Sequence, residues 1–104
     1  MAITSTLVES TTTTRIFLAV GEQAITTIMF CNTDDVTEAA FDVYVVGTGN
    51  VVGARTQVLN NIQLPGGETF VMDAEKLILS DSDAIYAQAS VGMIISASVS
   101  SVGL

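Results

Sequence analysis

The chain has 104 residues, of which 49% are hydrophobic and 13% charged, and eleven acidic against three basic side chains give a formal charge of -8. This length fits one domain around one hydrophobic core, and the charge argues against binding to a nucleic acid or an anionic membrane surface. Without any histidine, a Ser-His-Asp triad and a histidine-based metal site are excluded.

The N-terminal segment, residues 1–12, is rich in Ser and Thr. It predicts an extended N-terminal arm or an edge strand, and we expect an arm that orders on a partner. The segment has neither the basic start nor the long apolar run of a secretory signal, and no apolar stretch reaches the ~18 to 20 residues of a membrane-spanning helix. We therefore expect synthesis and folding in a cytoplasm.

From residue 13 onward, short β-branched runs alternate with turn residues, which is typical of an all-β domain over residues 13–104. Strands are predicted at 13–20, 24–32, 39–46, 56–64, 69–72, 76–79, 84–90 and 93–102. Residues 47–54 are predicted to be a flexible connection or a minor hairpin, and the last two strands a hairpin around Val91-Gly92. In the last strand, Met93, Ile95, Ala97 and Val99 alternate mainly with serine residues and are predicted to form its apolar face. Seven to eight strands suit a single antiparallel β-sandwich of the immunoglobulin-like or jelly-roll kind.

The strand predicted at 24–32 is apolar on both faces. Ile28 and Phe30 share one face, and Ile25 and Met29 share the other. Such a strand is central in its sheet or has its second face covered by another element. Ile25 and Met29 are therefore candidates for contact with a neighbouring protein. The single cysteine, Cys31, is predicted to be a buried small hydrophobe.

Chemistry-bearing clusters are few. Asp81 and Asp83 are weak candidates for binding a hard cation such as Ca²⁺, but their turn lacks the length and the glycine placement of an EF-hand loop. We predict solvated turn carboxylates, no metal, no cofactor and no catalytic residues. Tyr44 and Tyr86 sit on the parity opposite the apolar residues of their strands, so both are candidates for a surface contact.

Several segments, in their order along residues 13–102, resemble the small β-sandwich structural proteins in virions of tailed bacteriophages, including those of cyanobacteria. The segments are TTIMFCNTDD, FDVYVVGTG, LPGGETF, EKLILSDSDAIYAQAS and a final strand rich in Val and Ser. The resemblance implies a non-enzymatic virion protein, such as a capsid decoration (cement) protein or a neck or tail accessory protein. It also implies other virion proteins of the capsid, portal, neck or tail as partners, and a place in the virion after synthesis in the host cytoplasm.

Modules of this kind usually form closed symmetric oligomers, and we expect a homo-oligomer, either a trimer or a ring around a portal axis. The alternative function is a tail-tip or fibre module that binds a host receptor or a carbohydrate. Such a module needs an exposed aromatic platform, which in this chain would have to include Tyr44 and Tyr86.

Overall fold

The structure is a computed structural model that describes residues 2–104, with the backbone alone for residues 73–76. The described residues form β-strands and no helix, so none of them forms a helix that could cross a membrane. The eight strands are β1 Ala2–Val8, β2 Thr14–Leu18, β3 Gln23–Asn32, β4 Ala39–Val46, β5 Gln57–Leu64, β6 Thr69–Leu79, β7 Ala84–Ala89 and β8 Ile95–Gly103. The predicted all-β sandwich of seven to eight strands is confirmed.

The strands form two antiparallel four-stranded sheets. The first sheet has the order β1-β8-β3-β6, and the second has the order β2-β7-β4-β5. Every connection except the one between β4 and β5 therefore crosses from one sheet to the other. This is the arrangement of the double-sheet jelly roll, and it differs from the immunoglobulin fold, which divides its strands between the sheets in another way.

The last two strands do not form the predicted hairpin. β7 lies between β2 and β4 in the second sheet, whereas β8 lies between β1 and β3 in the first. Met93, which was expected on the apolar face of the last strand, lies in the crossover with a φ of 64° and is 55% exposed. A period of two identifies a strand and its buried face, but two consecutive strands can bury those faces from opposite sides of one core. The one hairpin of the described chain joins β4 and β5 through the glycine-rich segment after Val46.

The core lies between the sheets. Phe30 of the first sheet stacks on Phe41 of the second, with ring centroids 4.4 Å apart, and Phe70 meets Phe41 edge-on at 5.7 Å. Aromatic pairs of this geometry contribute about 0.5–1.5 kcal/mol beyond their buried area. The alternation predicted for the last strand is seen in β8, whose fully buried residues are Ile95, Ala97 and Val99.

β3 contains a bulge that reverses its side-chain parity. Its pairings with β6 and with β8 both shift register between Ile25 and Thr27. Ile25 consequently points to the same side as Ile28 and is only 1% exposed. The interpretation of Ile25 as an interface residue is therefore wrong, because an uninterrupted period of two would have placed it beside Met29 on the outer face.

Residues 2–8 form an edge strand. The sequence left an extended arm and an edge strand open for this segment, and we expected the arm. β1 pairs with β8 along its whole length, from Ala2 opposite Ser101 to Val8 opposite Ile95. Val8 is fully buried in the core. β1 is therefore part of the sandwich, held by the main chain of β8 and by its own inward-facing residue, while Met1 lies outside the described residues.

Candidate functional site

One end of the sandwich is held together by Asn32, the last residue of β3. Its side chain is fully buried, and its Nδ2 donates to the carbonyl oxygens of Thr37 (2.7 Å) and Leu64 (3.0 Å). Its Oδ1 accepts from the backbone N–H of Asp34 at 3.0 Å. Asn32 therefore ties the loop after β3 to the end of β5, and among the described side chains no buried polar atom is left without a partner.

The Leu-Pro-Gly-Gly turn after β5 packs against the loop after β3. A Cβ on Gly66 would lie 2.7 Å from the carbonyl carbon and oxygen of Asp35, while Gly67 has a φ of 77°, where other residues are strained. Two of the segments that carry the sequence resemblance, CNTDD and LPGGET, are thus one structural unit. Their role is close loop packing.

At the opposite end, the predicted metal candidates act as acceptors within the protein. Asp83 Oδ1 accepts from the backbone N–H of Thr48 and its Oδ2 from that of Ser80, both at 2.8 Å. Asp81 Oδ1 accepts from the backbone N–H of Gly21 at 2.7 Å. The two carboxylates connect the turn before β7 to the loops after β2 and β4. Among the described side chains, which exclude those of residues 73–76, no group of three or more Cys, Asp or Glu is arranged to hold a metal ion.

Hydrogen bonds of this kind stabilise the charged form of the carboxylates. The backbone N–H of Thr48 and then that of Ser80 lower the pKa of Asp83 below its ordinary value of 3.8. The backbone N–H groups of Thr37 and Val36 lower the pKa of Asp34 in the same way. Each end of the sandwich therefore contains an aspartate whose ionised form is favoured by folding.

This predicts a loss of stability in acid. Because the folded-state pKa of Asp83 is depressed, its contribution is complete above the unfolded-state pKa and is lost as the pH falls through the folded-state value. Urea unfolding at pH 7 and at several values below about pH 4 should show a smaller loss for Asp83→Asn than for the wild type. Glu22→Gln, an exposed change in a neighbouring loop, is the control and should keep the wild-type profile. Identical acid losses in Asp83→Asn and the wild type would contradict the prediction.

The outer face of the first sheet carries apolar and hydroxyl side chains, and we call it the hydroxyl face. The interface candidate Met29 is 41% exposed on it, and Cys31 is half-buried there instead of lying in the core. Among its described side chains, none is charged. They are Ile3, Ser5 and Leu7 of β1, Ser96, Ser98 and Ser100 of β8, Thr27, Met29 and Cys31 of β3, and Thr69 and Val71 of β6.

On the outer face of the second sheet, the pairing of β4 with β7 places Tyr44 directly opposite Tyr86. Both tyrosines are half-buried. Arg15 of β2 pairs with Tyr86 on the other side, and Gln57 of β5 pairs with Tyr44. The two tyrosines that the sequence singled out are therefore neighbours, although neither strand by itself indicates that the other is beside it.

Two cavities lined by described residues do not gather catalytic groups. One cavity of about 400 Å³ lies within the loop between β4 and β5 and is lined by residues 49–51 and 53–56. A second, of about 310 Å³, lies beside Asp42, Asn61 and Gln88. There Asp42 accepts from the backbone N–H of Asn61 at 2.7 Å, and Gln88 donates to the carbonyl of Ser10 at 2.9 Å. The polar groups of this cavity are engaged in holding loops and strands.

Comparison with known proteins identifies no family for this chain. No protein-family model matches the chain, and no curated protein matches it. Among solved structures, a chain in the structure of infectious bursal disease virus, Gx strain, is similar with 13% sequence identity and a TM-score of 0.38. The similarity covers 97% of this chain and 29% of that chain, so this chain spans less than a third of the viral protein's length.

Proposed function

We propose that this chain is a non-enzymatic structural component of a virus particle. In the more specific form of the proposal, it is a capsid decoration protein or a neck or tail accessory protein of a tailed bacteriophage, and it works by binding other virion proteins. The order of the sequence segments and the jelly-roll arrangement support this proposal. The observation that carries it is the hydroxyl face, whose described side chains are all uncharged.

The hydroxyl face is unusual for a chain with a formal charge of -8. A partner can cover its described side chains without removing water from an ionised group, which is the costliest part of burying a polar surface. Ile3, Met29 and Val71, which are 69%, 41% and 55% exposed, supply apolar area, and the serine hydroxyls can hydrogen-bond to the partner or to bridging water. The face is suited to contact with another protein.

Its size suggests contact with more than one neighbour. Four strands about 4.8 Å apart, taken over the seven-residue length of β1 at about 3.4 Å per residue, give a face of about 450 Å². A standard protein–protein interface covers about 800 Å² on each partner. The hydroxyl face alone therefore supplies about half of a stable contact, and a protein held in a shell or ring gains the remainder from its loops or from a second copy.

The hydrogen bonds of the carboxylates support the non-enzymatic part of the proposal. Asp34, Asp42, Asp81 and Asp83 each accept a backbone N–H in the folded chain. An acid–base mechanism needs such groups within hydrogen-bond reach of a substrate in a cavity. In the cavity beside β4, Asp42 is directed to the backbone of Asn61 instead.

The particle itself provides the test. Peptide mass spectrometry and gold-labelled antibody on purified particles from the source of this sequence should detect the chain at a constant copy number. Purified Met29→Lys protein should bind at least about tenfold more weakly than wild type to particles that lack the chain, because a charge is buried at the contact. Val58→Lys, on a 48% exposed residue of β5 in the other sheet, is the matched control and should bind normally. Absence of the chain from particles, or equal binding by both variants, would refute the proposal.

A second candidate function is a tail-tip or fibre module that binds a receptor or a carbohydrate. The pairing of Tyr44 with Tyr86 favours it, because two adjacent aromatic side chains on a sheet face can stack on a sugar. Glycan-array binding that is lost in the Tyr44→Ala, Tyr86→Ala double variant and kept in Val71→Ala would place this function first. Equal signals from wild type and double variant would remove it.

A further inference from the structure

β1 is an edge strand with an open backbone edge. The outer edge of such a strand presents N–H and C=O groups to solvent, which can pair with another chain. Over residues 2–8, the strand reads AITSTLV, with no charged residue and no proline. Its seven consecutive pairs with β8 show no register shift, so it has no bulge. Nothing in the described strand discourages a further strand from adding to this edge.

The other three edges each carry a feature that discourages pairing. β2 has only five residues, includes Arg15 and shifts register against β7. β5 shifts register twice against β4 and contains Asn61 with a φ of 54°. The sequence of β6 includes Asp73, Glu75 and Lys76, and its pairing with β3 is shifted. Short length, charge and bulges are the usual protection of edge strands, so the unprotected β1 stands apart.

The sequence of β1 is approximately palindromic about Ser5, because residues at equal distances before and after Ser5 are similar. The matching pairs are Thr4 and Thr6, Ile3 and Leu7, and Ala2 and Val8. An antiparallel pair of identical strands related by a two-fold axis through Ser5 would therefore place similar side chains opposite each other. Ile3 would lie opposite Leu7 of the partner subunit, and each Ser5 opposite its own copy.

From these features we infer that a second copy of this chain pairs with β1, antiparallel and centred on Ser5. The pairing joins two first sheets into one continuous eight-stranded sheet with two-fold symmetry, which is the commonest symmetry of homo-oligomers. It brings Ile3 and Leu7, which are 69% and 44% exposed in the single chain, into contact across the new strand pair, while their outer surfaces stay on the hydroxyl face. The dimer does not depend on the proposed virion function, although it would double the hydroxyl face to about 900 Å², enough for a standard interface.

The charge distribution is compatible with a second copy at this edge. Two copies with a formal charge of -8 repel each other, and like charges directly opposite each other in a sheet are destabilising. The described β1 strand brings no charge to the new strand pair. Glu9 follows the strand, and Arg15 lies beside Thr4 and Thr6 in a cleft of about 270 Å³ between β1 and β2. The nearest described charges thus flank the pairing edge and lie outside it.

The first test is the mass of the full chain in solution. Sedimentation equilibrium should give twice 10.8 kDa for the wild type at micromolar concentration. Ser5→Lys places two ammonium groups opposite each other and should raise the dimer dissociation constant at least about tenfold. Ser98→Lys is the matched control, because Ser98 is the Cα partner of Ser5 one strand further from the edge, and it should remain dimeric.

Two outcomes of this test would overturn the inference. One is a wild type that stays monomeric at about 100 μM, well above the dissociation constants of most specific dimers. The other is dissociation by Ser98→Lys but not by Ser5→Lys, which would indicate that copies pack through the hydroxyl face or bind a different partner at the edge. Circular dichroism and thermal melts confirm that each variant is folded before its mass is compared.

The second test fixes the register and does not rely on a destabilising change. In a Cys31→Ser background, Ser5→Cys should form a disulfide-linked dimer under mild oxidation, because directly opposed Cα atoms in an antiparallel pair are about 4.5–5.5 Å apart. Ile3→Cys alone should not, since the two copies of residue 3 would be about 13 Å apart along the strands. A mixture of Ile3→Cys and Leu7→Cys should link. Absence of a Ser5→Cys link, or equal linking by Ile3→Cys alone, contradicts the inferred pairing.

Discussion

Asn32→Asp should remove a large part of the protein's stability at neutral pH. The change keeps the shape of the side chain but replaces the Nδ2 donor with an oxygen that faces the carbonyls of Thr37 and Leu64. A buried charge without a compensating partner costs about 3–5 kcal/mol. The whole free energy of unfolding of a domain of this size is about 5–15 kcal/mol. Urea unfolding followed by circular dichroism measures the loss.

Two further variants separate the charge from the lost hydrogen bonds. Asn32→Ala removes the donor and the acceptor and leaves the carbonyl groups unpaired, so we expect a loss of about 2–3 kcal/mol. Asn60→Ala changes an exposed asparagine of β5, which bonds only to Gln57 on the surface, and should stay within about 0.5 kcal/mol of wild type. If Asn32→Asp were as stable as Asn60→Ala, Asn32 would not be the buried link between the two loops.

Gly66→Ala is the second large expected effect. Its new methyl group would lie 2.7 Å from the backbone of Asp35 and 2.8 Å from the nitrogen of Val36, so a loop has to move. Overpacking against a rigid backbone costs about 1–3 kcal/mol, and this position should fall near the upper end because the methyl group meets a backbone peptide group, which cannot rotate away as a side chain can. The melting temperature and urea midpoint should both fall, and the loop after β3 should become more sensitive to protease.

Other glycines serve as controls for this change. Gly53→Ala has no atom within 4 Å of its new methyl group, so its stability should be unchanged or slightly higher. Gly67→Ala tests backbone conformation instead of space, and its positive φ of 77° predicts a loss of about 1–2 kcal/mol. Equal stability of Gly66→Ala and Gly53→Ala would show that the two loops are not packed as closely as the structure has them.

The positions of most strands followed from local chemistry, although the two strands predicted at 69–72 and 76–79 are one strand, β6. β4 spans Ala39–Val46, as its alternation predicted, and β3 and β5 differ from their predicted bounds by one residue at the start. A strand needs only a period of two and turn residues at its ends, and both are properties of a short segment. The pairing of the tyrosines and the loop contacts of the LPGGET turn could not be predicted in this way, because both join residues that are far apart in the chain.

The side of the sheet on which a residue lies was predictable only where the period is uninterrupted. Met29 lies on the outer face as the alternation indicates, but Ile25 lies in the core because the bulge at Thr26 shifts the register. A bulge adds one residue without changing the composition of the strand, so its position leaves little trace in the sequence. The same limit applies to Asp81 and Asp83, whose acceptor role depends on loops that the fold brings to them.

The sequence by itself determined that this protein is an acidic, histidine-free, all-β sandwich with tight turns at particular positions. The tertiary structure decided which strands are neighbours, that β7 and β8 belong to different sheets, and that β1 is an edge with an open backbone. The physical reason is that burial depends on side chains, which differ along the chain, whereas strand pairing uses backbone groups that are the same at nearly every residue. The surfaces through which this protein is proposed to act are therefore properties of the assembled sheets.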